Sequence, residues 1–108
     1  MDLAQKKCVA CEGGTAPLGR DESQTLLKQV NGWTLSGDVR WISKEFKFDD
    51  FAKAFAFAKK IADIAEEEGH HPDLQISWGK TTVELTTHAI KGLSENDFII
   101  AAKIDKIA

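Results

Sequence analysis

The longest apolar pattern in the chain predicts a helix that starts at Asp49 or Asp50, both suitable N-caps, and runs to about Glu68. Plotted at about 100° per residue, its apolar positions cover an arc of about 180°, whereas a surface helix needs little more than about 100°. We therefore expect two buried contacts, one with the domain's own sheet and one with a neighbouring subunit. A helix sunk deeply in its own core is the alternative. The apolar positions are Phe51, Ala54, Phe55, Phe57, Ala58, Ile61, Ala62, Ile64 and Ala65.

Alternating apolar and polar residues on both sides of this helix predict two β-hairpins, because side chains along a strand point to opposite faces in turn. The predicted strands cover residues 33–35, 39–48, 74–78 and 82–86, and the predicted turns are Ser36-Gly37-Asp38 and Gly79-Lys80.

Two further helix patterns lie at either end of this arrangement. Residues 20–31 carry an apolar stripe and end at Asn31-Gly32. Ser94 is a strong N-cap for a last helix that runs to about Ile107, and Asp97 occupies the capping-box position three residues later.

The predicted order of elements is therefore α-β-β-α-β-β-α. Two hairpins separated by a long helix indicate an α+β fold, a four-stranded antiparallel sheet with three helices on one face. We assign residues 20–108 to this single domain. Residues 1–19 have no periodicity and contain several glycines and a proline, so we expect a flexible arm that Leu18 would anchor.

Composition and charge exclude several classes of function. The 108 residues carry a net charge of −3 and show no cluster of lysine and arginine, which argues against binding to nucleic acid. No apolar run reaches the roughly 20 residues that span a bilayer, and the N-terminus lacks the pattern of a secretory signal. We therefore expect a cytoplasmic protein without a membrane partner.

Cys8 and Cys11 form one C-x-x-C motif. One such pair is half of a zinc site, no second pair exists, and the surroundings lack the βαβ pattern of a redox motif. We interpret them as a reduced pair in the arm, with metal binding or disulfide chemistry as the alternatives.

The segment after the long helix carries the candidate chemistry. Gly69 suits the position just past a helix end, and Pro72 cannot continue a helix, so His70 and His71 should lie on the short connector. The negative end of the helix and the acidic run before it favour a protonated imidazole there. A positioned histidine is a suitable proton donor near neutral pH.

Four other residues are candidates for the same site. A hairpin over residues 73–88 would return His88 to the neighbourhood of His70 and His71, and Glu66 lies one helical turn before His70, where it could orient an imidazole. Asp97 and Trp33 complete the set. Each also has a purely structural interpretation: a solvated strand end for His88, a solvated glutamate for Glu66, a cap for Asp97 and a core position for Trp33.

Three histidines would also fit a metal triad. Consecutive histidines seldom direct both rings at one ion, however, and no residue in the pattern obviously completes an open coordination site.

These residues resemble the motifs of the pterin-4a-carbinolamine dehydratase family, over roughly residues 20–106. The matching positions are Gly32-Trp33, Phe46-x-Phe48-x-x-Phe51-x-x-Ala54-Phe55, Glu66-x-x-x-His70-His71-Pro72, Trp78, Thr87-His88, Gly92-Leu93-Ser94-x-x-Asp97 and Ile104-Asp105.

The resemblance implies a dehydratase that converts 4a-hydroxytetrahydropterin to quinonoid dihydropterin and water, without metal or redox cofactor. It implies catalytic roles for His70, His71 and His88 and accessory roles for Glu66, Asp97 and Trp33. Members of the family form dimers through edge strands, and some form tetramers through the long helix. By the same analogy, a pterin-dependent aromatic amino acid hydroxylase supplies the substrate.

Two other hypotheses stay open from the sequence. The same fold could serve as a non-catalytic interaction module, as in animal family members that act as dimerisation cofactors of a homeodomain transcription factor. A metal-binding domain is the third and least favoured hypothesis.

Overall fold

The elements follow the predicted order along the chain. A computed structural model describes residues 2–9 and 16–108. The helices and strands are α1 (Arg20–Leu27), β1 (Thr34–Leu35), β2 (Ile42–Lys47), α2 (Phe51–Glu68), β3 (Asp73–Ser77), β4 (Lys80–Leu85) and α3 (Glu95–Ile107), with short 3₁₀ turns at Leu3–Gln5 and His88–Ile90.

The four strands form one antiparallel sheet in the order β1-β2-β4-β3. Register places Ile42 opposite Leu85 and Leu74 opposite Val83, so one face of the sheet is apolar. This face lies in the hydrophobic core together with α2 and α3, while Glu45 and Glu84 point away from it into solvent. The predicted α+β fold with three helices and a four-stranded antiparallel sheet is confirmed.

Helix α2 is bounded by the residues that the sequence predicts. The Asp50 carboxylate accepts a hydrogen bond from the Lys53 backbone N–H at 2.8 Å, and Gly69 ends the helix in the left-handed conformation at φ 67°. One side of its apolar arc is buried on the sheet and α3. On the other side Phe51 and Phe55 keep 48% and 56% of their surface exposed.

Several predicted boundaries are wrong. Strand β2 begins at Ile42 rather than Val39, because the Ser36 hydroxyl accepts the backbone N–H groups of Arg40 and Trp41 and Val39 takes a positive φ of 60°. The turn of the second hairpin is Trp78-Gly79, one residue earlier than predicted, since Gly79 adopts φ 73°. Helix α1 ends at Leu27, short of residue 31.

The start of the chain packs on α3. Leu3 is 3% exposed and belongs to the hydrophobic core, and Lys103 on α3 donates to the Ala4 carbonyl at 2.9 Å. Leu18 donates its backbone N–H to the Leu93 carbonyl at 2.8 Å and packs on the core, at the anchoring position expected of it. The domain boundary at residue 20 stays a prediction.

Within the described part of the chain, no helix is both long enough and apolar enough to cross a membrane.

Thr81 joins the sheet to α2 through a buried hydrogen bond, in which its hydroxyl donates to the Ala54 carbonyl at 2.7 Å. We expect Thr81→Val to lower the free energy of unfolding by about 1 kcal/mol, because the isosteric side chain loses this bond. Urea denaturation measures the change. Thr82→Val, on the opposite and less buried face, is the matched control, and an equal loss there would contradict the assignment.

Candidate active site

The connector between α2 and β3 positions two histidines. Gly69 turns the chain sharply enough for both its own N–H and that of His70 to bond the Ala65 carbonyl, at 2.9 and 3.3 Å. Pro72 then directs the chain into β3. His70 and His71 therefore lie at the C-terminal end of α2, where the sequence places them.

The second hairpin brings the third histidine to the same end of the sheet. Strand β3 starts at Asp73 and pairs with β4, so the chain leaving β4 returns to the connector. A bridge between Thr87 and Gly92 closes the corner that begins at His88. The His88 Nε2 atom lies 4.0 Å from the Asp73 carboxylate, an exposed pair at the mouth of the site.

His70 is held by a buried carboxylate. Its Nε2 lies 2.6 Å from Asp97 Oδ1, and Asp97 is fully buried in the first turn of α3. The other carboxylate oxygen accepts the Thr87 hydroxyl at 2.8 Å and the Ser94 backbone N–H at 3.0 Å, which is one half of the predicted capping box. These bonds fix Asp97, and Asp97 fixes the ring of His70.

His71 is paired differently. Its Nε2 lies 2.5 Å from Glu66 Oε2, and both side chains are more than half exposed. Glu66 orients an imidazole, as the sequence predicts, but the ring is that of His71 and not that of His70, which lies one helical turn away.

The three histidines line one open cavity of about 550 Å³. Its walls come from the N-terminal segment, the end of α2, the corner after β4 and the start of α3. The lining residues are Cys8, Val9, Glu68, Gly69, His70, His71, Thr86, Thr87, His88, Ala89 and Asn96. The cavity is large enough for a small bicyclic ligand, since ligand pockets start at about 300 Å³.

Each imidazole faces its own carboxylate: Asp97 for His70, Glu66 for His71 and Asp73 for His88. Among residues 2–9 and 16–108, no group of three or more His, Cys, Asp or Glu side chains is arranged to hold a metal ion. The three histidines thus form three separate imidazole–carboxylate pairs around one cavity.

Trp33 does not line this cavity. It is 6% exposed, and its Nε1–H donates to the Asp105 carboxylate at 3.1 Å, which Lys44 also contacts at 2.9 Å. Asp105 lies eight residues after Asp97, about 12 Å further along α3. The structure therefore gives Trp33 core contacts and sets it apart from the three histidines.

Sequence reasoning missed several lining residues, among them Cys8, Val9, Glu68 and Asn96. Cys8 and Val9 belong to a segment predicted as an arm, and Glu68 was one of three consecutive glutamates. Asn96 is the neighbour of Asp97 in the sequence, but no motif or periodicity indicates that it lines a site. No periodicity relates residues 87 positions apart, so only the fold could reveal that Val9 and Asn96 meet. Cys11, the other half of the C-x-x-C motif, lies outside the described residues.

Comparison with known proteins identifies the family. The family described as "Pterin 4 alpha carbinolamine dehydratase" matches residues 16–107. A relative from Halorhodospira halophila, provisionally named as a pterin-4-alpha-carbinolamine dehydratase, is 45% identical over 99% of this chain and 98% of its own length. A relative of the same provisional name from Rickettsia canadensis is 52% identical over 95% of this chain and 94% of its own length. The chain belongs to the pterin-4-alpha-carbinolamine dehydratase family.

Solved structures share the fold. A transcriptional coactivator/pterin dehydratase from Brucella melitensis has a TM-score of 0.80 and 34% identity, covering 85% of this chain and 98% of that chain. A pterin dehydratase-like protein described as a RuBisCO assembly factor in the α-carboxysome has a TM-score of 0.62 and 26% identity, covering 72% and 90%. The fold thus occurs in proteins described by a catalytic name and by an assembly role.

The environment of Asp97 predicts a large effect on stability. Asp97→Asn should lower the free energy of unfolding by about 1–3 kcal/mol, because it weakens charge-assisted bonds that no water can replace in a buried site. Urea denaturation at neutral pH measures this loss. Glu66→Gln, in the exposed pair, should change stability by no more than about 0.5 kcal/mol. Equal losses in the two variants would show that Asp97 is not the structural centre of the site.

Proposed function

We propose that this chain is a 4a-hydroxytetrahydropterin dehydratase that uses histidine acid–base catalysis. The observation that carries the proposal is the meeting of His70, His71 and His88 around one cavity, in a member of this family. The reaction needs a proton for the departing hydroxyl and a base for a ring N–H, and no other chemical partner.

The reaction breaks one carbon–oxygen bond and one nitrogen–hydrogen bond of the substrate. The bond between C4a and the hydroxyl oxygen breaks, and the oxygen leaves as water with a proton from a histidine. The neighbouring ring N–H gives up its proton, and its electron pair forms the new carbon–nitrogen double bond of the quinonoid product. Proton transfer of this kind by a positioned side chain contributes roughly 10²–10⁴-fold to the rate.

We assign proton donation to His70 and His88, from different sides of the ring, and ligand binding with proton removal to His71. The contacts of His70 support its role. With Asp97 ionised, Nε2–H donates to the carboxylate and Nδ1 is the nitrogen left to exchange a proton with a ligand. Glu66 orients His71 in the same way, in a more exposed pair.

His70→Ala and His88→Ala should each lower kcat by about 100-fold for the C4a configuration whose hydroxyl faces that histidine, because each removes the proton donor on one side of the ring. Ultraviolet absorbance follows the dehydration of freshly generated 4a-hydroxytetrahydropterin, with a chelator present so that adventitious metal plays no part. Glu67→Gln, an exposed carboxylate outside the cavity, is the control and should keep the wild-type rate. A kcat within about twofold of wild type for both histidine variants would refute the assignment.

The alternative function is a non-catalytic interaction module on the same fold. This alternative is supported by the structural neighbour that is described as a RuBisCO assembly factor. A well-folded wild-type protein that gives no acceleration over buffer would support this alternative and reject the dehydratase.

We also propose that the chain forms a homo-oligomer through the outer side of α2. Phe51 and Phe55 lie one helical turn apart and stay about half exposed, although large aromatic side chains gain most from burial. This surface is the part of the apolar arc that the domain's own sheet does not cover.

Phe55→Glu should therefore reduce the oligomeric mass in solution, because a charge at the centre of an apolar contact is costly to bury. Light scattering coupled to size exclusion measures the mass. Lys60→Glu, an exposed α2 residue outside the apolar arc, is the control for added charge. An unchanged mass for Phe55→Glu would place the interface elsewhere or show a monomer.

A further inference from the structure

The N-terminal residues Cys8 and Val9 form one wall of the cavity, and a dedicated set of side chains holds them there. Asn96 is 4% exposed and makes two hydrogen bonds to Val9: its Oδ1 accepts the Val9 N–H at 3.0 Å, and its Nδ2 donates to the Val9 carbonyl at 2.6 Å. The side-chain amide thus pairs with the Val9 backbone as a neighbouring strand would.

A second anchor holds the residue before it. The Cys8 backbone N–H donates to Glu68 Oε1 at 2.8 Å, and the other oxygen of Glu68 lies 3.7 Å from Lys103 Nζ. The Glu68 side chain is only 6% exposed, so its charge has been withdrawn from water to make these contacts. Side chains from two separate helices, α2 and α3, therefore hold this short segment in place.

These anchors bond three of the polar backbone groups of the wall. The Cys8 N–H, the Val9 N–H and the Val9 carbonyl all bond to protein side chains. Val9 lines the cavity beside Cys8, and 71% of the residue's surface is exposed. An exposed apolar side chain on an anchored segment, in a cavity lined mostly by polar residues, is suited to contact with the apolar part of a ligand.

Resting on the function proposed above, we infer that Val9 is a specificity-determining residue that packs on the saturated carbons of the reduced pterin ring, and that Asn96 and Glu68 are its positioning residues. The family match begins at residue 16, so this wall lies outside the region that the family description covers. Asn96 and Asp97 are adjacent in the first turn of α3, which links the position of the apolar wall to that of His70.

Steady-state kinetics of Val9→Ala, Asn96→Ala and the double variant test the inference. Val9→Ala should raise KM roughly threefold to tenfold, with kcat within about twofold, because truncation removes two carbons from an apolar contact. Asn96→Ala should raise KM similarly by releasing the wall. The double variant should be little worse than Asn96→Ala alone, since Val9 acts only when it is held in place.

Ile107→Ala is the matched control, an exposed branched side chain about 16 Å further along α3 and outside the cavity. Circular dichroism confirms that each variant is folded. An unchanged KM for Val9→Ala, or effects of the two single variants that multiply fully in the double variant, would overturn the inference.

Calorimetric titration with 7,8-dihydrobiopterin, a stable reduced pterin, separates this inference from the catalytic proposal. If the wild type fails to dehydrate its substrate but binds the probe, and Val9→Ala weakens that binding, the wall is supported and only the catalytic proposal fails. Equal binding by wild type and Val9→Ala, or no binding by either, would overturn the role of Val9.

Discussion

The burial of Asp97 is the constraint on which the site depends. A carboxylate withdrawn from water must have its oxygens satisfied by the protein. Here the partners come from three parts of the chain: the Ser94 N–H at the start of α3, the Thr87 hydroxyl after β4 and the His70 ring after α2. One buried side chain therefore ties the two loops that carry histidines to the helix that packs beneath them.

The same turn of α3 organises the other side of the cavity. Asn96 directs its amide to the Val9 backbone while its neighbour Asp97 holds His70. The more exposed groups, His71 with Glu66 and His88 with Asp73, lie at the rim, where solvent and ligand can reach them. The site thus combines one largely buried imidazole with two exposed ones.

Local sequence patterns predicted the helices and strands well, because helix caps and apolar stripes depend on residues close together in the sequence. The apolar arc of α2, its terminal glycine and the capping box of α3 all depend on residues within one or two turns. Which carboxylate pairs with which histidine was harder to predict than the secondary structure. Glu66 lies one helical turn before His70 and seemed its natural partner. Gly69 takes a left-handed conformation, however, and it is His71, two residues after Gly69, that contacts Glu66.

Contacts between distant segments could not be predicted from one sequence. The start of β2 shifts to a later residue because the Ser36 hydroxyl accepts two backbone N–H groups. Alternation of apolar and polar residues does not predict such bonds. Val9 has no pattern that relates it to Asn96, and Trp33 meets Asp105 rather than the cavity. In each case the partner is chosen by the packing of whole elements, which only the fold supplies.

The bond between Val9 and Asn96 also bears on the order in which the protein is built. It joins positions 87 residues apart, nearly the whole length of the chain, and contacts of such separation carry the largest loop-closure cost and form slowly. Of the described elements α3 is the last to be synthesised, and it carries both Asn96 and Asp97. Until that helix docks, His70 lacks its partner Asp97 and the N-terminal wall lacks Asn96, so a chain whose sheet is complete still has an unfinished site.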